Sequence, residues 1–109
     1  MAKRGPEGQI QDKVVRYARS VGCKAYKFES PGNSGVPDFM FTHINCGPFF
    51  VEFKAPGAKE RPLQVIRQAE MADAGCVVYA SVDNVRVGKE IIDDMVNRAK
   101  PRHKPVPGL

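Results

Sequence analysis

Residues 38–54 read DFMFTHINCGPFFVEFK, and this stretch decides the fold. Two runs within it, residues 39–43 and 49–54, are rich in the aromatic and β-branched residues that are typical of β-strands. The segment between them, residues 45–48, is Asn-Cys-Gly-Pro and favours a reversal of the chain. The two runs are therefore predicted to form a β-hairpin centred near Cys46.

Helical patterns lie on both sides of this hairpin. Upstream, Pro6 suits the first turn of a helix and Gly22 suits its end. Between them, the spacing predicts a helix over residues 7–21 with one apolar stripe, formed by Ile10, Val14, Tyr17, Ala18 and Val21. Downstream, Pro62 can open a second helix that ends at Gly75 and carries the apolar residues Leu63, Val65, Ile66, Ala69 and Ala72.

Two more strands and a third helix complete the predicted order. Residues 23–29 are predicted to form a strand, and the nearly continuous apolar run 76–80 is predicted to form a strand buried on both faces. Residues 30–37 contain two glycines and two prolines, which predicts a loop. Asp83 can cap a last helix whose apolar residues extend to Ala99. The order α-β-β-β-α-β-α predicts an α/β domain with a mixed central β-sheet flanked by helices.

Length and charge set the domain organisation. The chain has 109 residues, which suits one domain with a modest hydrophobic core. We expect that domain to span residues 1–99 and a basic, proline-rich tail to span residues 100–109. The net charge is +5, and residues 98–109, with four basic residues and no acid, account for +4 of it. The charge suits a polyanionic partner, and it equally suits a tail that only keeps the protein in solution.

Composition argues against several other classes of protein. The apolar runs are far shorter than the ~20 residues of a membrane helix, and the basic N-terminus leads into polar sequence instead of the apolar core of a signal peptide. We therefore expect a cytoplasmic protein with no membrane partner. Three widely spaced cysteines without a Cys-x-x-Cys pair support neither a structural zinc site nor a disulfide framework.

Three charged residues lie in or beside the apolar hairpin. Glu52 and Lys54 are two positions apart on a predicted strand, so they point to the same face. Asp38 opens the other strand, and a hairpin centred near Cys46 places it across from that pair. Two carboxylates this close repel each other unless a cation lies between them. Mg²⁺ takes such oxygen ligands together with water and phosphate, and there it would activate a phosphodiester for attack by water. Lys54 would orient the water or neutralise developing charge.

Structural alternatives stay open for these residues. Glu52 and Lys54 would form an ion pair on an edge strand, and Asp38 would be a turn residue after Pro37. Glu7 shares the inward stripe of the first helix, where a carboxylate needs a partner or a metal. Alternatively, Glu7 lies in a frayed first turn, where an acid favours the helix dipole.

The sequence resembles a known nuclease superfamily. Gly35-Val36-Pro37-Asp38, then residues 50–54 (FVEFK), then Gln64 at a helix start resemble the PD-(D/E)xK superfamily. More narrowly, they resemble the VRR-NUC family of stand-alone phage and bacterial nucleases. The resemblance extends from about Glu7 to Val85 and implies a restriction-endonuclease-like core.

The resemblance also implies roles for individual residues. Asp38 and Glu52 would bind Mg²⁺ or Mn²⁺ together with the backbone carbonyl of Phe53, and Lys54 would be the catalytic lysine. Gln64 would contact the lysine, the attacking water or the scissile phosphate. Glu7 matches a first-helix acid that some members use near a second metal position.

Four further residues are candidates for contacts with the DNA backbone. Lys27 and Ser30 precede the glycine-containing loop, and Lys59 and Arg61 precede the second predicted helix. A solvated surface explains each of the four equally well.

Residues and resemblance together predict a Mg²⁺- or Mn²⁺-dependent DNA endonuclease in the cytoplasm of a bacterial or phage-infected cell. One compact domain has little surface for reading a long base sequence, and the resemblance points to branched DNA such as four-way junctions. Symmetric cutting of a junction needs two active sites, which predicts a homodimer. Two alternatives remain: a non-catalytic nucleic-acid-binding module, and a restriction-type enzyme with base specificity.

Overall fold

The computed structural model describes residues 5–98, and the predicted tail and Ala99 lie outside the described residues. The elements follow in the order α1 (Pro6–Ser20), β1 (Lys24–Lys27), β2 (Phe39–His43), β3 (Cys46–Phe53), α2 (Pro62–Asp73), β4 (Val77–Val82) and α3 (Val85–Val96). The predicted order and the α/β class are confirmed. In the described part of the chain, no helix is long and apolar enough to cross a membrane.

The four strands form one mixed sheet in the order β1-β2-β3-β4. The pairs β1–β2 and β2–β3 are antiparallel, whereas β3 and β4 are parallel. Parallel neighbours need a crossover connection, and α2 lies in that connection. Phe39 pairs with Val51, so Asp38, the residue before β2, lies beside Glu52 on β3.

The hairpin is centred near Asn45, about one residue before the predicted centre near Cys46. The turn is Ile44–Asn45, and Cys46, Gly47 and Pro48 belong to β3. Pairing shifts by one residue between Phe41–Phe49 and His43–Cys46, which is a β-bulge at the glycine and proline. A bulge interrupts the ladder, so a proline without an N–H is tolerated inside this strand.

Two other strand predictions need correction. β1 ends at Lys27 instead of residue 29, because the chain must turn into the loop that begins at Ser30. β4 is not buried on both faces: Ala80 and Ser81 are exposed, since β4 is an edge strand with an extra residue opposite β3. Ser81 has a φ of 56°, consistent with this local irregularity.

The hydrophobic core lies between one face of the sheet and the helices α1 and α3. Phe49, Val51 and Phe53 alternate along β3 and point into it. The two helices approach so closely that a Cβ added at Gly88 of α3 would lie 2.4 Å from Val14 of α1. Asn84, the residue before α3, caps this helix: its side chain accepts a hydrogen bond from the Val87 amide at 2.8 Å. The prediction that Asp83 caps this helix was therefore wrong.

α2 lies on the other face of the sheet, and its apolar residues point away from it. Val65 and Ile66 are 51% and 54% exposed, and Ala69 is exposed as well. The buried residue of α2 is Gln68, and Gln64 also faces the sheet. Apart from Met71, which is partly buried, the inner face of this helix is therefore polar.

Candidate active site

Asp38 is fixed at the start of β2 by the neighbouring strand. Its Oδ2 accepts a hydrogen bond from the backbone amide of Phe53 at 2.9 Å. Its own carbonyl accepts one from the amide of Phe28 at 2.7 Å. The preceding Pro37 is fully buried, which anchors the end of the loop. Asp38 is therefore held rigidly beside β3.

Glu52 and Lys54 lie on the face of β3 opposite the core and are nevertheless buried. Glu52 is 3% exposed and Lys54 is 8% exposed. The Lys54 Nζ lies 3.8 Å from Glu52 Oε2, and the Lys54 amide donates to the carbonyl of Val82 at 2.9 Å. Because they are shielded from water, their charges interact more strongly than those of a surface pair. Glu52 and Lys54 do form the ion pair of the structural alternative, but β3 is a central strand and not an edge strand.

Gln64 joins these two residues from the first turn of α2. Its Oε1 accepts from Lys54 Nζ at 2.7 Å and from the Arg61 amide at 2.9 Å. Its Nε2 donates to Glu52 Oε2 at 3.2 Å. The same side chain therefore caps the helix and orients both the ammonium and the carboxylate.

The electrostatics of Glu52 are unusual for an acid. Burial is the largest cause and the neighbouring Asp38 the next, and together they raise the pKa of Glu52 from 4.5 to about 8, against the opposing effect of Lys54. Glu7 contributes in the same direction, so the first turn of α1 lies within electrostatic reach of Glu52. Glu52 Oε1 is buried and has no hydrogen-bond partner within residues 5–98.

These features fit a divalent cation. Within residues 5–98, no group of three or more His, Cys, Asp or Glu residues is arranged to hold a metal. Mg²⁺, however, commonly binds to only one or two carboxylates and takes its other oxygens from water and phosphate. Asp38 and Glu52 meet that requirement, and the unpartnered Glu52 oxygen is an available ligand. The backbone carbonyl of Phe53 lies between Glu52 and Lys54 in the chain.

The four candidate DNA contacts lie in three different segments of the chain, and Lys27 is on the core face of the sheet, opposite Glu52 and Lys54. Lys27 pairs with Phe39 across β1 and β2, and its ammonium lies 5.6 Å from the centre of that ring. Ser30 is in the loop, where its hydroxyl accepts from the Asn33 side chain at 3.1 Å. Lys59 and Arg61 are exposed in the segment that leads into α2.

The packing of the loop against α2 was missed by the sequence analysis. Gly35 has a φ of 90°, and a Cβ there would lie 2.8 Å from the carbonyl oxygen of Leu63. Arg67 Nε donates to the carbonyl of Ser34 at 3.1 Å. The loop that leads to Asp38 is thus attached to the helix that carries Gln64. A glycine in the motif hinted at a close approach, whereas nothing in the sequence singled out Arg67.

Gln68 was also missed. It lies one turn beyond Gln64, is 6% exposed, and its Nε2 is buried without a partner within residues 5–98. The spacing of four residues was visible in the sequence, and it places both side chains on one helix face. The sequence interpretation gave Gln68 no role.

The fold and this buried group of carboxylates and lysine define a restriction-endonuclease-like domain. A solved VRR_NUC domain superposes with a TM-score of 0.74 over 83% of this chain and 97% of that chain, at 22% identity. "Putative nuclease p44" of Acyrthosiphon pisum secondary endosymbiont phage 1 is 42% identical over 69 residues, which are 63% of this chain and 74% of the phage protein. No protein-family model matches the chain. The chain belongs to the same family as this phage protein, and its fold is that of the VRR_NUC domain.

Proposed function

We propose that this protein is a Mg²⁺- or Mn²⁺-dependent endonuclease that hydrolyses phosphodiester bonds in branched DNA and acts as a homodimer. One observation carries the catalytic part of the proposal. Glu52 and Lys54 are buried on a central strand, Gln64 contacts both, and Asp38 lies beside them, while one oxygen of Glu52 has no partner within residues 5–98. Burying charged and unpartnered polar groups costs stability. A role in binding or catalysis explains why the protein keeps them.

The carboxylates would hold the cation. Asp38 and Glu52 supply side-chain oxygens, the carbonyl of Phe53 supplies a backbone oxygen, and Glu7 is available for a second ion. When bound, the ion would activate water and stabilise charge on the phosphate oxygens. A bound cation would favour the ionised carboxylate of Glu52 and so oppose the burial that raises its pKa.

Lys54 would act on the reacting groups directly. Its buried ammonium is a fixed positive charge, which would stabilise negative charge that develops on the phosphate in the transition state. Gln64 would keep the ammonium in place, since its Oε1 accepts from Lys54 Nζ at 2.7 Å. Lys27, Ser30, Lys59 and Arg61 would contact the DNA backbone away from the cut.

The exposed apolar face of α2 supports the homodimer. Val65, Ile66, Ala69 and Ala72 are exposed on the side of the helix that faces away from the sheet. The larger side chains lie in the N-terminal half and the alanines in the C-terminal half. Two copies of α2 packed antiparallel would therefore place large residues against small ones, as a two-fold interface requires.

The oligomeric state can be measured by light scattering after gel filtration. We expect a dimer for the wild type and a monomer for Ile66→Asp, because a charge would be buried at the centre of the interface. Ile44→Asp is the matched control: Ile44 is 82% exposed at the β2–β3 turn, and this variant should remain dimeric. A monomeric wild type, or a dimeric Ile66→Asp, would contradict the proposed interface.

The substrate is tested by cleavage of labelled linear, flap and four-way-junction DNA with Mg²⁺, Mn²⁺ or EDTA. We expect paired nicks in the junction, little cleavage of linear duplex, and none in EDTA. Asp38→Asn and Lys54→Ala should abolish cleavage, whereas Asp94→Asn and Lys24→Ala, at exposed positions, should not. Fixed cuts on linear duplex would indicate a restriction-type enzyme. Binding without cleavage in every metal would indicate a non-catalytic binding module.

A further inference from the structure

A basic groove lies on the outer surface of α1, away from the carboxylates. Two adjoining hollows of about 290 and 360 Å³ flank this helix and share Arg16. Arg19 lines the first, and Lys13 and Lys89 line the second. We call these four residues, Lys13, Arg16, Arg19 and Lys89, the α1 groove cations.

The α1 groove cations are exposed and have few competing acids. Within residues 5–98, the ion pairs are Lys54–Glu52, Arg67–Glu70 and Arg86–Glu90, so none involves a groove cation. Two carboxylates lie nearby. Asp12 lines the first hollow, and Asp93 accepts a hydrogen bond from the Tyr17 hydroxyl. The groove keeps an excess of positive charge.

Two of the cations are held in place by their surroundings. The Lys89 ammonium lies 5.1 Å from the centre of the Tyr17 ring, whose hydroxyl is fixed by Asp93. Arg19 Nη2 donates to the carbonyl of Ala25 at 3.3 Å. Cations that are already ordered lose less conformational entropy when they bind an anion.

The groove is within reach of DNA bound at the proposed active site. α1 packs against β3, the strand that carries Glu52 and Lys54, on the face opposite those two side chains. Lys13 and Arg16 lie three residues apart, or about 4.5 Å along the axis of this helix at 1.5 Å per residue. One turn of B-DNA spans ~34 Å, so a duplex arm at the active site can also pass over the groove. The groove lies across the sheet from α2, so a dimer formed through α2 leaves it accessible.

We propose that the α1 groove cations bind the phosphates of a duplex arm that extends from the cleavage site. The proposal rests on the proposed nuclease function and adds a second DNA-binding surface to it. A row of cations along one helix can follow a regular phosphate backbone, and arginine can form two parallel hydrogen bonds to one phosphate. Such contacts position the duplex without reading its sequence, as suits an enzyme that selects the shape of DNA.

The groove can be tested by binding in EDTA, where no hydrolysis interferes. Affinity for a labelled four-way junction is measured by fluorescence anisotropy over a range of NaCl concentrations. Each phosphate contact contributes about 0.9 to the slope of log K against log salt. We expect Lys13→Gln, Arg16→Gln and Lys89→Gln each to lower the slope by about 0.9, and the triple variant by about 2–3.

Arg86→Gln is the matched control, because it removes one exposed cation of α3 that Glu90 already neutralises at 3.0 Å. Its slope should equal that of the wild type. The proposal would be overturned if the slopes of the three groove variants equalled the wild-type slope. It would also be overturned if they fell by no more than the slope of Arg86→Gln. Failure of the nuclease function is separate: it would appear as no cleavage by the wild type in Mg²⁺, whatever the slopes in EDTA.

Discussion

The two faces of the sheet differ in what covers them. On one face, α1 and α3 bury an apolar core that includes Val14, Phe49 and Ile92. On the other face, α2 adds no residue to that core, turns Gln64 and Gln68 toward the sheet, and leaves Val65 and Ile66 exposed. The hydrophobic free energy of folding therefore comes mainly from the α1–α3 side.

This difference explains how buried charges are tolerated. Glu52 and Lys54 are on the same strand as Phe49, Val51 and Phe53, but they point to the opposite face. The polar inner face of α2 supplies hydrogen bonds to both charges, which an apolar helix could not do. Alternate residues of β3 thus point into the core, and the residues between them point to the candidate site.

The largest expected effect on stability is on the core side. Phe49→Ala should lower the free energy of unfolding by about 3–5 kcal/mol, because it removes a fully buried ring that stacks on Phe41. Ile44→Ala, at an exposed turn, should change it by less than about 0.5 kcal/mol. Urea denaturation measures both. Equal losses would show that stability is not concentrated in this core.

A further effect on stability, that of pH, is expected in the metal-free protein. Glu52 has a pKa of about 8 in the folded protein and about 4.5 in the unfolded chain. Below pH 4.5 both states hold the proton. Between the two values only the folded state holds it, so stability should fall as pH rises and level off above pH 8. Denaturation in EDTA from pH 5 to 8.5 should show this decline, and Glu52→Gln should reduce it. If Glu52→Gln showed the same decline, the pH dependence of stability would come from other titratable groups.

Gly35→Ala tests the attachment of the loop to α2. A Cβ would meet the Leu63 carbonyl oxygen at 2.8 Å, so we expect a loss of about 1–3 kcal/mol and weaker cleavage, since Asp38 follows this loop. Gly32→Ala is the matched control, with a similar φ of 82° but no atom within 4 Å of the added Cβ. Gly32→Ala should lower the free energy of unfolding only through backbone strain, and it should leave cleavage unchanged. Equal cleavage by both variants would count against the attachment.

The smallest expected effect on the free energy of unfolding concerns the residues that precede α3 and α2. Asn84→Ala should cost about 1 kcal/mol, because the side chain caps the Val87 amide. Arg61→Ala should cost almost nothing in stability, since Arg61 contacts Gln64 through its backbone amide and carbonyl, which the variant keeps. Thermal unfolding of the two variants measures the difference. A larger loss for Arg61→Ala would mean that its side chain stabilises α2.

The sequence predicted most elements because each carried a local pattern. The stripe from Ile10 to Ala18 matched a helix that does bury its apolar face, and the prediction for α1 differed from the structure by one residue at each end. The spacing from Asp38 to Glu52 and Lys54 likewise predicted which side chains meet. Such features depend on periodicity along one segment, which the sequence displays directly.

The errors arose where tertiary context overrides local preference. Gly47 and Pro48 usually indicate a turn, yet a bulge places them within β3. The apolar run 76–80 suggested a strand buried on both faces, but β4 lies at the sheet edge and α2 turns its apolar residues outward. The contact of Arg67 with Ser34 spans 33 residues of sequence and left no local signal.

The most direct test of the central claim is the cleavage rate of junction DNA as a function of Mg²⁺ concentration, for the wild type and for Glu52→Gln. If Asp38 and Glu52 hold the cation on which hydrolysis depends, the wild-type rate should rise from zero in EDTA and saturate. The Glu52→Gln rate should be lower by about 10²–10³ at every concentration. Glu90→Gln, at an exposed acid on α3, should follow the wild-type curve. Cleavage that persists in EDTA, or a Glu52→Gln curve that equals that of the wild type, would contradict the account.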